Sequence, residues 1–184
     1  MKKYVLLAAL SAVSTAQSQN LKFMSVNFRP DGSVPPTIRF FCSQNYDKAE
    51  CMKDATALRK ALAPYPTRLL GDWSFYLVTA GDWKELVRRQ GGDPVSPAFS
   101  VLEQRATLLD GGLFDGSAAR NKELLERFDM IGPALVNLAI THEMGHAICR
   151  ERNERRADDY GKELREGNIP ECRRVAEPNP ERMR

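Results

Sequence analysis

The segment of residues 135–152, LVNLAITHEMGHAICRER, constrains the fold most, because its pattern predicts a helix with two different faces. Apolar side chains recur at helical spacing along one face, which predicts burial against a sheet. They are Val136, Ile140, Met144, Ala147 and Ile148. His142 and His146 are four residues apart, so their rings can point in one direction from the helix. The chain has no other histidine, so a metal site that uses imidazole can only lie here.

Glu143 completes the pattern His-Glu-x-x-His. A zinc ion held by three protein ligands lowers the pKa of a bound water molecule toward about 7. On a helix, Glu143 lies about 100° around the axis from His142, which places it near the ion but not aimed at it. A carboxylate there can take a proton from the water as the water attacks a carbonyl. We therefore expect Glu143 to be the catalytic base.

The third protein ligand must be Asp, Glu, Cys or Tyr, because no histidine remains. Cys149 lies about 10 Å along the helix axis from His142, which is too far for one ion. Glu154 can reach the ion only if the chain reverses between residues 150 and 153. Asn153 favours such a reversal, because asparagine is a good N-cap for a new helix.

The residues after Glu154 support this interpretation. Ala157, Asp158 and Gly161 follow it by three, four and seven positions, and so share its helical face. The small residues leave room for a close approach of the two helices, and Asp158 can accept a hydrogen bond from the far nitrogen of a zinc-bound histidine. Asp158 and Asp159 remain the alternative third ligands.

The pieces THEMGH and NERRADDYG resemble the gluzincin group of zinc metallopeptidases, of which thermolysin is the familiar member. In that group a second helix carrying Glu-x-x-Ala/Ser-Asp follows the His-Glu-x-x-His helix. The resemblance covers residues 135–161 and implies a zincin-like fold. It implies these roles: zinc ligands His142, His146 and Glu154, base Glu143 and outer-shell Asp158.

The metzincins, another large His-Glu-x-x-His group, do not fit. They need a glycine three residues after the second histidine and a third histidine three residues further on. Cys149 and Arg152 occupy those positions in this chain.

The remaining pattern predicts an α+β fold, with a small mixed sheet packed on the active-site helix and a ligand-bearing helix after it. Residues 98–110 fit either one long strand or a tight hairpin, and residues 111–116 read as a loop. The predicted strands are residues 21–28, 37–42 and 73–80. The other predicted helices are residues 47–63, 82–90 with Asp82 as its cap, 117–128 with Leu124, Leu125 and Phe128 as its apolar stripe, and about a dozen residues from Asn153.

The first residues are typical of a secretory signal peptide: Lys2 and Lys3, then a short apolar run, then small residues that end at Ala16. We therefore predict a signal peptide at residues 1–16, a single domain at 17–172 and a flexible tail at 173–184. The protein would be secreted or periplasmic. An oxidising compartment favours disulfides, and the short loops favour the pairs Cys42–Cys51 and Cys149–Cys172.

The charge balance gives no indication of a nucleic-acid partner or a stable membrane anchor. The predicted signal peptide removes two of the 27 basic residues and none of the 24 acidic ones, so the remaining chain is nearly neutral. We expect a monomer.

The sequence thus predicts an exported Zn2+-dependent metallopeptidase that hydrolyses peptide bonds in a peptide or protein substrate. The alternative is a disulfide-stabilised, secreted binding module with a vestigial or structural metal site. Glu143 favours the enzyme, because a structural site has no need of that carboxylate.

Overall fold

The computed structural model describes residues 21–115 and 117–172, so the predicted signal peptide and the predicted tail lie outside the described residues. The described chain has a mixed α+β fold with a five-stranded mixed sheet, in agreement with the predicted α+β class. The strands are β1 (Phe23–Val26), β2 (Ile38–Ser43), β3 (Trp73–Val78), β4 (Ala98–Val101) and β5 (Ala106–Asp110). They lie in the order β1-β2-β3-β5-β4.

The three central strands are parallel, and the two edge strands are antiparallel to their neighbours. Aromatic and aliphatic residues meet across the central strands. Phe40 of β2 lies opposite Phe75 of β3, and Leu77 of β3 lies opposite Leu109 of β5. All four side chains are buried, as expected for parallel strands that are covered on both faces.

Residues 98–110 form a hairpin, which decides between the two structures that the pattern allowed. A short 3₁₀ turn (Leu102–Gln104) joins β4 to β5. Arg105 closes the turn in the left-handed region, with φ of 52°. As a result β4 is an edge strand that pairs with β5 on one side.

In the described part of the chain, six α-helices accompany the sheet: α1 (Lys48–Leu62), α2 (Ala80–Arg89), α3 (Gly112–Asp115), α4 (Ala118–Phe128), α5 (Gly132–Cys149) and α6 (Glu154–Arg165). The helix predicted at residues 47–63 is confirmed as α1. Asp47 caps it by accepting hydrogen bonds from the amides of Ala49 and Glu50. The motif helix α5 begins at Gly132 and Pro133, as predicted. Helix α6 has 12 residues and follows Asn153.

Three local predictions are wrong. Thr79, not Asp82, is the N-cap of α2, because the Thr79 hydroxyl oxygen accepts a hydrogen bond from the Asp82 amide. Residues 111–116, predicted as a loop, include helix α3. Leu125 of α4 is 48% exposed and is not part of a buried stripe.

Helix α4 also buries a charged residue. The side chain of Arg120 is buried because its guanidinium pairs with the buried carboxylate of Asp110 at 2.6 Å.

Helix α5 is buried on nearly every side. Val136, Ile140 and Met144 belong to the same apolar cluster as the central strands, so this face packs on the sheet as predicted. Helix α6 covers a second face of α5. The edge strand β4, helices α1 and α3, and a short 3₁₀ turn (Thr67–Leu70) also contact it. The helix that carries the histidines is therefore held from several directions.

Both predicted disulfides are confirmed. Cys42–Cys51 joins β2 to α1, and Cys149–Cys172 joins the end of α5 to the segment after α6. Among the described residues, no helix combines the length and apolar character needed to cross a membrane.

Candidate metal centre

Helix α5 ends abruptly just after the second histidine. Arg150 adopts the left-handed conformation with φ of 49°, and its amide donates a hydrogen bond to the carbonyl oxygen of His146. The Glu151 amide donates to the same oxygen at 3.0 Å. This is the left-handed type of helix end, and it turns the chain away from the α5 axis.

The chain then reverses, as the sequence predicts. The side chain of Asn153 accepts a hydrogen bond from the amide of Arg156 at 3.1 Å and caps α6. Glu154 is the first residue of α6, so its side chain lies at the point where the new helix returns along α5.

Two glycines let the helices approach closely. A methyl group added to Gly145 would lie 2.6 Å from the carbonyl oxygen of Ala157, and one added to Gly161 would lie 3.0 Å from the amide nitrogen of His142. Both distances are shorter than ordinary van der Waals contact, and in both cases the neighbour is backbone. Glycine is therefore required at Gly145, and larger residues are disfavoured at Gly161.

Three donor atoms converge at this crossing: Nε2 of His142, Nε2 of His146 and Oε2 of Glu154. The two nitrogens are 3.0 Å apart, and the carboxylate oxygen is 3.2 Å from the first and 3.5 Å from the second. Tetrahedral zinc with bonds of 2.0–2.1 Å separates its ligand atoms by about 3.3 Å. The triangle thus has the dimensions that a zinc ion requires.

The far nitrogens of both rings are held by oxygen acceptors. Nδ1 of His142 lies 2.7 Å from Oδ1 of Asp158, the contact predicted for this carboxylate. Nδ1 of His146 lies 2.7 Å from the carbonyl oxygen of Glu151. A ring that donates from Nδ1 presents the lone pair of Nε2, so both acceptors favour the tautomer that binds a metal.

The carboxylates also set the charges of the group. Burial opposes protonation of His142, but hydrogen bonds to Asp158 and Glu154 outweigh it and raise the pKa of His142 to about 10. Burial likewise opposes protonation of His146, and the contact with Glu154 raises its pKa. Hydrogen bonds from both histidines hold the pKa of Glu154 well below its usual range. Without a metal ion, the neighbouring carboxylates therefore favour protonated, positively charged imidazole rings. A bound metal ion would replace those protons.

Glu143 differs from the other carboxylates of the site. It is only 4% exposed, and its Oε2 has no hydrogen-bond partner among residues 21–115 and 117–172. A buried carboxylate oxygen without a partner costs free energy, so its retention calls for a reason. The predicted base position beside a metal-bound water gives one.

The other candidate ligands lie elsewhere. Asp158 contacts the far nitrogen of His142 and not the donor triangle. Asp159 is exposed and is absent from the group of converging donors. Cys149 is bound in a disulfide, as expected.

Glu151 is a residue that the sequence interpretation missed. Its side chain is buried, and Oε1 accepts hydrogen bonds from the amides of Arg152 and Asn153 at 2.9 and 2.8 Å. Its Oε2 lies 3.4 Å from a guanidinium nitrogen of Arg156, while its carbonyl orients His146. The position of an acidic residue beside the predicted reversal was the one signal for the role of this side chain. The contact with His146 uses a main-chain carbonyl, which every residue has, so no sequence pattern indicates it.

Comparison with protein-family models, with curated proteins and with solved structures finds no match to this chain. The interpretation of the site consequently depends on the motif and on the geometry described above.

Proposed function

We propose that this protein is an exported, zinc-dependent metallopeptidase with a zincin-like, gluzincin-type active site. The observation that carries the proposal is the zinc-sized triangle of His142, His146 and Glu154 with the buried, unpartnered oxygen of Glu143 on the next residue of the same helix. A structural zinc site has four protein ligands, whereas three donor side chains converge here among the described residues.

Each residue has a distinct role in the proposal. His142, His146 and Glu154 would hold the ion, which supplies a Lewis acid that acidifies water and polarises a peptide carbonyl. Glu143 would accept a proton at Oε2 and later deliver it to the leaving nitrogen.

The substrate would bind along the edge strand β4. This strand pairs with β5 on one side and lies beside α5, so an extended peptide could add to its other edge. Main-chain hydrogen bonds would then hold the peptide while the scissile carbonyl faces the donor triangle. The arrangement suits a peptide or protein substrate.

The proposed location is outside the cytoplasm, either secreted or periplasmic. Two disulfides fit an oxidising compartment, and the predicted signal peptide would direct the chain there.

The proposal is tested by removing and restoring zinc. The purified protein is stripped with a chelator, divided, and incubated with a mixed peptide library with and without added zinc, and cleavage is followed by mass spectrometry. Cleavage that requires zinc supports the peptidase. Tight zinc binding with no cleavage of any peptide favours the binding module, and failure to bind zinc rejects both versions of the site.

A further inference from the structure

A small cleft opens at the carboxyl end of α5, and it does not include the three metal-binding candidates. Its volume is about 130 Å³. The floor is apolar, with the buried side chains of Leu70, Trp73 and Ala147. The guanidinium-bearing residues Arg105 and Arg150 also line it. We call this feature the Arg105–Arg150 cleft.

The cleft lies on the same side of α5 as the proposed base. Ala147 follows Glu143 by four residues, so the two side chains are stacked one turn apart, about 6 Å along the helix axis. The turn that joins β4 to β5 supplies Leu102 to the same cleft. A peptide that lies along β4 with its carbonyl at Glu143 would therefore place a neighbouring residue at the cleft.

The two arginines are exposed, and no carboxylate among the described residues forms an ion pair with either. Arg105 donates a hydrogen bond to the carbonyl oxygen of Leu70 at 3.2 Å, which holds its guanidinium beside a residue of the cleft floor. Within the described ranges, neither Arg105 nor Arg150 lies within ion-pair distance of a carboxylate.

The nearest acids along the chain are already engaged. Glu103 pairs with Arg152, and Glu151 binds two backbone amides and Arg156. Two positive charges thus remain beside an apolar floor. A ligand that matches both features has an apolar side chain and a carboxylate close to it.

We propose that the Arg105–Arg150 cleft selects substrate peptides in which an apolar residue at the cleft is accompanied by a carboxylate. The carboxylate is either the peptide's own C-terminus or the side chain of an adjacent Asp or Glu. This inference rests on the proposed function, since it assigns the substrate class of the same enzyme.

The test is equilibrium binding to the full-length, zinc-loaded Glu143→Gln protein, which cannot turn the peptide over in the proposed mechanism. The first matched pair consists of acetylated hexapeptides that end in leucine, with either a free C-terminal carboxylate or a C-terminal amide. The second pair consists of amidated peptides that carry either Glu or Gln after an internal leucine. Isothermal titration calorimetry measures each Kd. We expect a lower Kd for at least one carboxylate peptide than for its neutral match. The pair that shows this difference identifies whether the carboxylate is a C-terminus or an acidic side chain.

The arginine variants decide whether the cleft is responsible. Arg150→Gln and Arg105→Gln should each reduce the preference for the carboxylate by roughly three- to tenfold. The matched control is Arg39→Gln, an exposed arginine on β2 that does not line the cleft, which should keep the full preference. A carboxylate that binds only to zinc would bind all three variants equally.

Two results overturn the inference: equal binding of carboxylate and neutral peptides, or a preference that survives both cleft variants. Neither result bears on zinc-dependent cleavage. Conversely, a carboxylate preference that depends on the cleft, combined with no cleavage of any peptide, would reject the peptidase and leave the binding specificity standing.

Discussion

Oε2 of Glu154 lies 3.2 Å from Nε2 of His142, although the two residues belong to different helices. The contact exists because Arg150 ends α5 in a left-handed conformation and Asn153 starts α6 three residues later. The carboxylate that meets the Nε2 atoms of both histidines is therefore that of Glu154, whereas Asp158 meets Nδ1 of His142.

Replacement of Glu154 by Gln should lower zinc affinity by at least about a hundredfold, because the site loses a charged ligand and not merely an outer hydrogen bond. Competition with a chromophoric chelator measures the affinity. Asp159→Asn is the matched control and should bind zinc as the unmodified protein does, since Asp159 is exposed and outside the donor group. A large loss in Asp159→Asn with none in Glu154→Gln would mean that the third ligand has been assigned to the wrong carboxylate.

The arrangement around Glu154 was predictable because it depends on local rules. Helical spacing placed both histidines on one face, Asn153 indicated a new helix, and the small residues Ala157 and Gly161 indicated a close helix pair. The disulfide pairs were predictable because each closes a short loop. These features each depend on residues that are close together in the chain.

Two buried charges were not predicted, because the groups that bury them are set by the folded chain and not by a local pattern. Arg120 of α4 is buried because Asp110 on β5 supplies the partner of its guanidinium. Glu151 is buried because the folded turn between α5 and α6 encloses it. Its contact with His146 uses a main-chain carbonyl, which no sequence pattern marks.

Glu151→Ala should weaken the turn that positions Glu154. Two backbone amides would lose their acceptor, which is expected to lower the free energy of unfolding by about 1–3 kcal/mol and to speed zinc release by about tenfold. Glu151→Gln keeps an acceptor oxygen and should restore most of the slow zinc release. Stopped-flow zinc transfer to a chelator measures the rate.

The control for this pair is Glu166→Ala, since Glu166 is exposed and pairs only with Lys162 at 3.8 Å among the described residues. It should release zinc at the unmodified rate. Equal zinc release from Glu151→Ala and Glu166→Ala would show that Glu151 does not position the site.

Gly145→Ala should destabilise the protein, because the new methyl group would meet the carbonyl oxygen of Ala157 at 2.6 Å and force the helices apart. Overpacking of this kind costs about 1–3 kcal/mol of the free energy of unfolding. Gly81→Ala is the matched helical control, with no atom closer than 3.9 Å to the added carbon, and should be neutral or slightly stabilising. Urea unfolding in the presence of a chelator compares them, and equal stability of the two variants would contradict the close packing.

Zinc should stabilise the protein more at high pH than at low pH. In the folded protein without zinc, the pKa of His142 is raised to about 10 from 6.5. Protonation of His142 therefore stabilises the folded state fully below about pH 6.5, and this stabilisation is lost as the pH rises toward 10. Zinc needs the neutral ring and must displace that proton, at a cost of about 1.4 kcal/mol per pH unit for each proton.

Thermal unfolding at constant free zinc, compared with chelator, gives the difference in Tm at each pH. We expect the difference to widen from pH 6 to pH 9. A difference that is constant or that narrows over this range would show that the metal does not displace protons from the two histidines.

The most direct test of the peptidase is the cleavage rate of Glu143→Gln at the same zinc content as the unmodified protein. Glu143 is proposed as the base and not as a ligand, so the variant should bind one equivalent of zinc while kcat falls by about 10²–10⁴. Metal analysis and a peptide cleavage assay on the same samples measure both quantities. Undiminished cleavage by zinc-loaded Glu143→Gln would contradict the proposed mechanism.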